Sequence, residues 1–184
     1  MKYLGPALVV LLLLTGCAVR REPVDRRAVW RALQAPAARY RLDAALLYAL
    51  VAAESDFDAR ARQGEARGLC QLKPAAWKAV SSQPYEPTVW DWRANLATGV
   101  DYLAWCRHAL HARGHYSDRL LLAAFHYGYD YVEARGFDEA RIPCPPGPIY
   151  RELWRGRLQP VPVPIESGAR QPEAGEPGPS GDPP

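Results

Sequence analysis

Several features that would point directly to a function are missing from these 184 residues. No long hydrophobic run is present, and the apolar stretch near the start, residues 7–14, is too short to span a bilayer as a helix. Charge of one sign is also scarce. Lys and Arg number 23 against 20 Asp and Glu, a formal +3 without any polybasic tract, which excludes an electrostatic nucleic-acid footprint. Sustained alternation of apolar and polar residues is absent, so a large sheet is excluded. There is no internal repeat and no glycine-rich phosphate loop, which removes repeat arrays and nucleotide-cradling folds. The spacing of Cys70, Cys106 and Cys144 does not suggest zinc, and His108, His111 and His115 read as a solvated face. No metal or organic cofactor is implied.

What is abundant lies at the ends. Eighteen prolines and fourteen glycines exceed what a helical chain of this size accommodates. From Pro160 to Pro184 there is no aromatic residue and no Leu, so this stretch cannot bury enough apolar surface to offset its ordering entropy. Residues 156–184 are therefore expected to be a disordered Pro/Gly-rich tail. At the other end, Lys2, the apolar run and then Leu14-Thr15-Gly16-Cys17 read as an export signal. Those last four residues resemble the lipobox of bacterial lipoproteins, which implies cleavage after residue 16 and lipid on Cys17. Ala18 after that cysteine favours, by the same resemblance, the periplasmic face of an outer membrane. Residues 17–24 would be a short tether from the anchor. In that oxidising compartment Cys70, Cys106 and Cys144 allow one disulfide at most, and the sequence does not choose the pair.

Between the ends, residues 25–155 show helical periodicity. Val29, Trp30 and Leu33 predict a first helix stopping near Pro36. Asp43 caps an apolar helix over residues 44–53, with Leu46, Leu47, Leu50 and Val51 as its buried stripe. A polar loop with Gly64 and Gly68 leads to a helix starting at Pro74. A long helix follows over residues 94–113, then one capped by Ser117 or Asp118, and a last helical turn over residues 149–154. The expectation is one all-α domain. Trp105 is expected in its core, with Trp77, Trp90 and Trp92 open between core and a sugar-stacking surface.

The informative oddity is Glu54. A carboxylate directly after ten mostly apolar residues is carried into or beside a core, where its charged form is poorly solvated, so a raised pKa is expected. Such a group suits general acid catalysis near neutral pH.

Glu54-Ser55, then Gly68-Leu69-Cys70-Gln71-Leu72 with Pro74, then the segment from Asn95 to Leu103, then Ala123-Ala124-Phe125-His126-Tyr127-Gly128 occur in this order. This combination resembles the soluble lytic transglycosylase domain of the lysozyme-like superfamily over about residues 38–137. The resemblance implies an all-α fold of the goose-type lysozyme-like kind. It also implies cleavage of the bond between N-acetylmuramic acid and N-acetylglucosamine in peptidoglycan strands, leaving a 1,6-anhydromuramyl end. Glu54 would be the single acid and base. Gln71 would line the cleft, and Ser55, Phe125, His126 and Tyr127 would complete the substrate-binding wall, with Ser55 supporting the backbone. Asp56 and Asp58 are nearest for a second carboxylate, but read as solvated or loop-capping residues.

The chain departs from the family pattern at three places, one being the loop between Glu54 and Gly68, which is a residue shorter than in many relatives and has Glu65 and Gln63 or Arg62 where a glycine and a serine are usual. Cys70 stands where methionine is usual, so that wall is repacked or tied by a disulfide. Phe125 stands where the family has a tyrosine whose phenol reaches the catalytic glutamate, and phenylalanine cannot donate. His126 or Tyr127 is left to supply the donor. Two alternatives stay open: a catalytically impaired peptidoglycan-binding or scaffold lipoprotein on the same fold, and a lysozyme-like hydrolase.

Overall fold

A computed structural model describes residues 21–165; the expected signal, Cys17 and the chain beyond residue 165 lie outside the described residues. The fold is α-rich: α1 (Arg26–Tyr40), α2 (Ala44–Ser55), α3 (Pro74–Val80), α4 (Tyr85–Thr88), α5 (Trp92–Ala112), α6 (Asp118–Tyr127), α7 (Tyr129–Glu133) and α8 (Pro148–Trp154). One antiparallel hairpin joins β1 (Arg62–Gln63) to β2 (Ala66–Arg67), pairing Arg62 with Arg67 and Gln63 with Ala66. No helix among the described residues is long and apolar enough to cross a membrane.

Helix α2 is the axis of the fold. Its N-cap is Asp43, whose carboxylate accepts from the Ala45 N–H. Residues 47–52 are all buried, so the helix is apolar on every side rather than along a stripe. The cause is that α1 packs along it from one side and α8 from the other. Each fully buried Leu or Val there contributes about 1.5–3 kcal/mol by leaving water. Helices α5 and α6 close the core, with Leu96, Val100, Leu103 and Leu110 from one and residues 120–125 from the other.

Three expectations need correcting. Helix α1 does not stop near Pro36 but runs through it to Tyr40. Proline inside a helix costs roughly 3 kcal/mol, and the far end is held by tertiary contacts that local sequence cannot show. Ala37 joins Val29 and Leu33 in the core, while the Arg107 guanidinium on α5 donates to the Tyr40 and Arg41 carbonyls at the helix end. Trp105 is not in the core: it is 36% exposed, because its position on α5 faces a groove rather than α6.

The domain boundaries also move outward. Glu22 accepts from the Ala59 N–H at 2.9 Å and donates its own to Asp58, while the Val24 N–H bonds the Phe57 carbonyl. Residues 22–24 thus belong to the domain and not to a tether. Likewise Val161 and Val163 pack against the core, so the first part of the expected tail is folded onto the body.

Candidate active site

The end of α2 delivers Glu54 to the site. The helix terminates at Ser55, and Asp56 turns into the left-handed region with φ 49°, returning its N–H to the Ala52 carbonyl. The Ser55 hydroxyl donates back to the Val51 carbonyl at 3.1 Å, so it supports the last turn. Glu54, one residue earlier, keeps its side chain only 6% exposed.

Two side chains meet its carboxyl. The Tyr150 hydroxyl donates to Glu54 Oε1, and His126 Nδ1 lies 2.9 Å from the same oxygen. The two aromatic rings meet edge to face at 5.1 Å, which fixes their relative orientation. Burial, followed by the Glu54 charge, pushes the Tyr150 phenol well above its ordinary range, so it remains a donor. In the tautomer whose hydrogen is on Nδ1, His126 donates to the same oxygen as the phenol. Both donors converge on Oε1. Among the described residues Oε2 has no hydrogen-bond partner, and a proton carried there would be free to leave.

Of the two residues left by sequence to replace the missing phenol, His126 reaches Glu54 and Tyr127 does not. The Tyr127 hydroxyl points to the Cys144 carbonyl at 3.4 Å, and its ring stacks on Tyr131. Phe125 is buried and packs beside Tyr102 as a core residue instead of lining a substrate wall. The group that sequence reasoning missed is Tyr150. It lies 96 positions from Glu54, on a helix of seven residues that carried no sign of chemistry. Its burial at 1% exposure is the feature that would have singled it out.

The opposite wall is the loop after β2, held by Asn95 from α5. Asn95 is fully buried: its amide donates to the Arg67 and Val89 carbonyls at 3.0 and 3.1 Å, and its oxygen accepts from the Cys70 N–H at 2.8 Å. Gly68 is required beside it. Its φ is +75°, and a Cβ there would stand 2.3 Å from the Asn95 amide nitrogen. Gln71, also left-handed at φ 44°, uses its side-chain amide to donate to the Ala61 and Gly68 carbonyls. Gln71 lines a groove of about 490 Å3 together with Glu54, Ser55 and Arg62, and its Oε1 has no hydrogen-bond partner among the described residues.

The remaining candidates resolve as structure. Asp58 is buried and accepts from the Glu22 and Arg60 N–H groups, while exposed Asp56 pairs with Arg26 at 2.9 Å. Neither carboxylate joins Glu54. Cys70, Cys106 and Cys144 are all free thiols. Cys70 is packed against Gly99, where a Cβ would sit 2.4 Å from its sulfur, so a small thiol takes up room that this glycine provides. Burial, with a smaller contribution from Glu54, pushes the Cys70 thiol far up, and burial pushes Cys106 up to about 12. Neither is a nucleophile. His111 stacks on Tyr116 and His115 on Phe137 at the surface, and no group of three or more His, Cys, Asp or Glu is gathered for a metal among the described residues.

Residues 31–135 match the family model described as Transglycosylase SLT domain. No curated protein matches the chain. The family match takes in Glu54, Gln71 and His126; α8 with Tyr150 lies beyond it.

Proposed function

The chain belongs to the transglycosylase SLT domain family, whose members act on peptidoglycan in the cell envelope, and we propose that Glu54 is its single acid and base. The reaction is cleavage of the β-1,4 bond from N-acetylmuramic acid to N-acetylglucosamine with formation of a 1,6-anhydro end.

The carrying observation is the convergence of Tyr150 and His126 on Oε1 of a side chain that is 6% exposed. With Oε1 held as acceptor, the acidic proton sits on Oε2. Oε2 protonates the glycosidic oxygen as the bond to the muramyl anomeric carbon breaks. The same oxygen then takes the proton of the muramyl 6-hydroxyl, whose oxygen bonds to that carbon. No water enters the products, and the carboxyl ends as it began. Gln71 Oε1 accepts a hydrogen bond from a sugar hydroxyl or amide beside it.

Two alternatives lose support. A drifted, inactive site was suggested by Phe125, but the phenol absent there is supplied by Tyr150. A two-carboxylate hydrolase needs a partner about 5–9.5 Å from Glu54 and free to act; Asp58 is engaged by backbone donors and Asp56 by Arg26. Digestion of purified sacculi followed by mass spectrometry of the soluble fragments decides the reaction. Anhydromuropeptides are expected from the parent and none from Glu54→Gln; hydrated reducing ends would establish a hydrolase instead.

The lipid anchor on Cys17 and the outer-membrane address belong to the same proposal. Cys17→Ser is expected to move the protein from the membrane fraction to the soluble periplasmic fraction, and a variant that stays bound removes the anchor.

A further inference from the structure

A second groove of about 220 Å3 lies between the start of α3 and the segment around α7, and its wall is aromatic. Trp105 is 36% exposed, the most exposed Trp, Phe or Tyr of this groove, and it also borders a wider groove with Asp101 and His108. Tyr102 lies parallel to it at 5.9 Å, and Tyr129 meets it edge-on at 5.1 Å. The indole is thus held rigidly while part of its surface stays open, although α5 has core-facing positions on either side of it. Tyr131 is differently placed: Tyr127 stacks on its ring and the Arg135 guanidinium lies 3.3 Å from the ring centroid. Trp105 is the ring left available.

The groove adjoins the catalytic pair. Tyr127 lines it and packs edge-on to His126 at 4.8 Å, while His126 is 2.9 Å from Glu54. The rim is polar, formed by Lys73 and Asp130, both exposed. An apolar flat surface bordered by polar groups matches a pyranose ring, which has an apolar C–H face and a belt of hydroxyls. A partner helix would call for a continuous apolar floor, and the volume is below the roughly 300–1,000 Å3 of larger ligand sites.

We propose that Trp105 is a stacking platform for an N-acetylhexosamine ring of the same strand, away from the bond being cut. Its role is to hold longer strands, so it affects binding by length and not the chemistry at Glu54. The assignment to the same strand rests on the proposed site at Glu54, but the groove's affinity for sugar is measured independently of cleavage.

Chitopentaose is the probe, titrated by calorimetry into the full mature protein carrying Glu54→Gln, which leaves the ligand intact. Adding Trp105→Ala is expected to weaken binding about tenfold, and Trp105→Phe to restore most of it. Because Trp105 is partly exposed, its truncation leaves the core intact, and a far-ultraviolet circular dichroism spectrum checks this. Equal affinity with and without the indole, or no binding of chitopentaose by Glu54→Gln with Trp105 intact, overturns the proposal. Failure of the parent to release anhydromuropeptides, with Trp105-dependent binding retained, would sink the reaction and leave the platform standing.

Discussion

Asn95 and Glu54 are both polar side chains removed from water, and the fold treats them in opposite ways. Around Asn95 every hydrogen-bonding capacity that matters is matched: two carbonyls take its amide protons, and its oxygen holds the Cys70 N–H. Around Glu54 one oxygen receives two donors and the other receives none from the described protein. A completed network rigidifies a loop and leaves nothing for a ligand. An asymmetric one fixes a group while keeping one of its atoms for chemistry. The difference separates the scaffold of this cleft from its proposed reactive centre, although both side chains are withdrawn from water and both were visible as polar letters in apolar helices.

The strongest way to break that distinction is to exchange the outcomes. Glu54→Gln retains the size and an acceptor oxygen, so the melting temperature should stay near the parent's while cleavage of sacculi falls by roughly 10²–10⁴-fold or more. Asn95→Ala should do the reverse in kind. It strands the Cys70 N–H and the Val89 carbonyl, while the Arg67 carbonyl keeps the Leu72 N–H; each stranded group costs about 1–3 kcal/mol, so at least about 2 kcal/mol is expected. For a domain of this size that lowers the melting temperature by roughly 4–8 °C, readable by calorimetry. A Glu54→Gln protein that melts early, or an Asn95→Ala protein that does not, would show that the two networks are alike.

The sequence made one of these networks far easier to read than the other. Glu54 stood out because an apolar run of helix-forming residues carried it inward, and that is a local signal. The order of α2, α3, α5 and α6 followed from caps and spacing that the structure retains, at Asp43, Pro74 and Ser117. Tyr150 was hidden because it acts across 96 positions, and no periodicity links a short terminal helix to a distant carboxylate. Pro36 and Trp105 misled for the same reason. A proline read locally ends a helix, and a tryptophan read locally goes inside; Arg107 holds the first open to continuation and a groove takes the second out of the core.

A finer test separates the two donors on Oε1. Tyr150→Phe removes a hydrogen bond to a chargeable group, worth about 1.5–3 kcal/mol, so the rate should fall about 10–100-fold with substrate affinity little changed. His126→Asn preserves a short donor and should keep more activity than His126→Leu, which removes donation altogether. If Asn and Leu are equally damaging, the imidazole does more than donate to Oε1. If both match the parent, Tyr150 alone orients the carboxyl, and the convergence of two donors is not what the reaction requires.

The smallest expected effect compares one phenol from each region, half-buried Tyr85 and buried Tyr150. Tyr85 lies in the scaffold, donating to the Leu72 and Glu65 carbonyls at 2.8 and 2.9 Å, and burial pushes it up to about 12. Tyr150 lies in the proposed reactive centre and is pushed well above the ordinary value of 10.0 by burial and then by Glu54. In both cases the folded value exceeds the unfolded one. Their contribution to stability is therefore fully present below about pH 10 and is lost as pH rises toward the folded values, because the unfolded chain ionises first. Denaturant melts at rising pH should show this loss, and either Tyr85→Phe or Tyr150→Phe should flatten the alkaline slope. Cleavage measured near neutral pH distinguishes them: Tyr85→Phe should leave it close to the parent's, since both of its bonds are to backbone carbonyls, and Tyr150→Phe should not. Equal losses of cleavage would mean that Tyr85, by holding the Leu72 carbonyl beside Gln71, supports the reactive geometry as directly as the phenol bonded to Glu54.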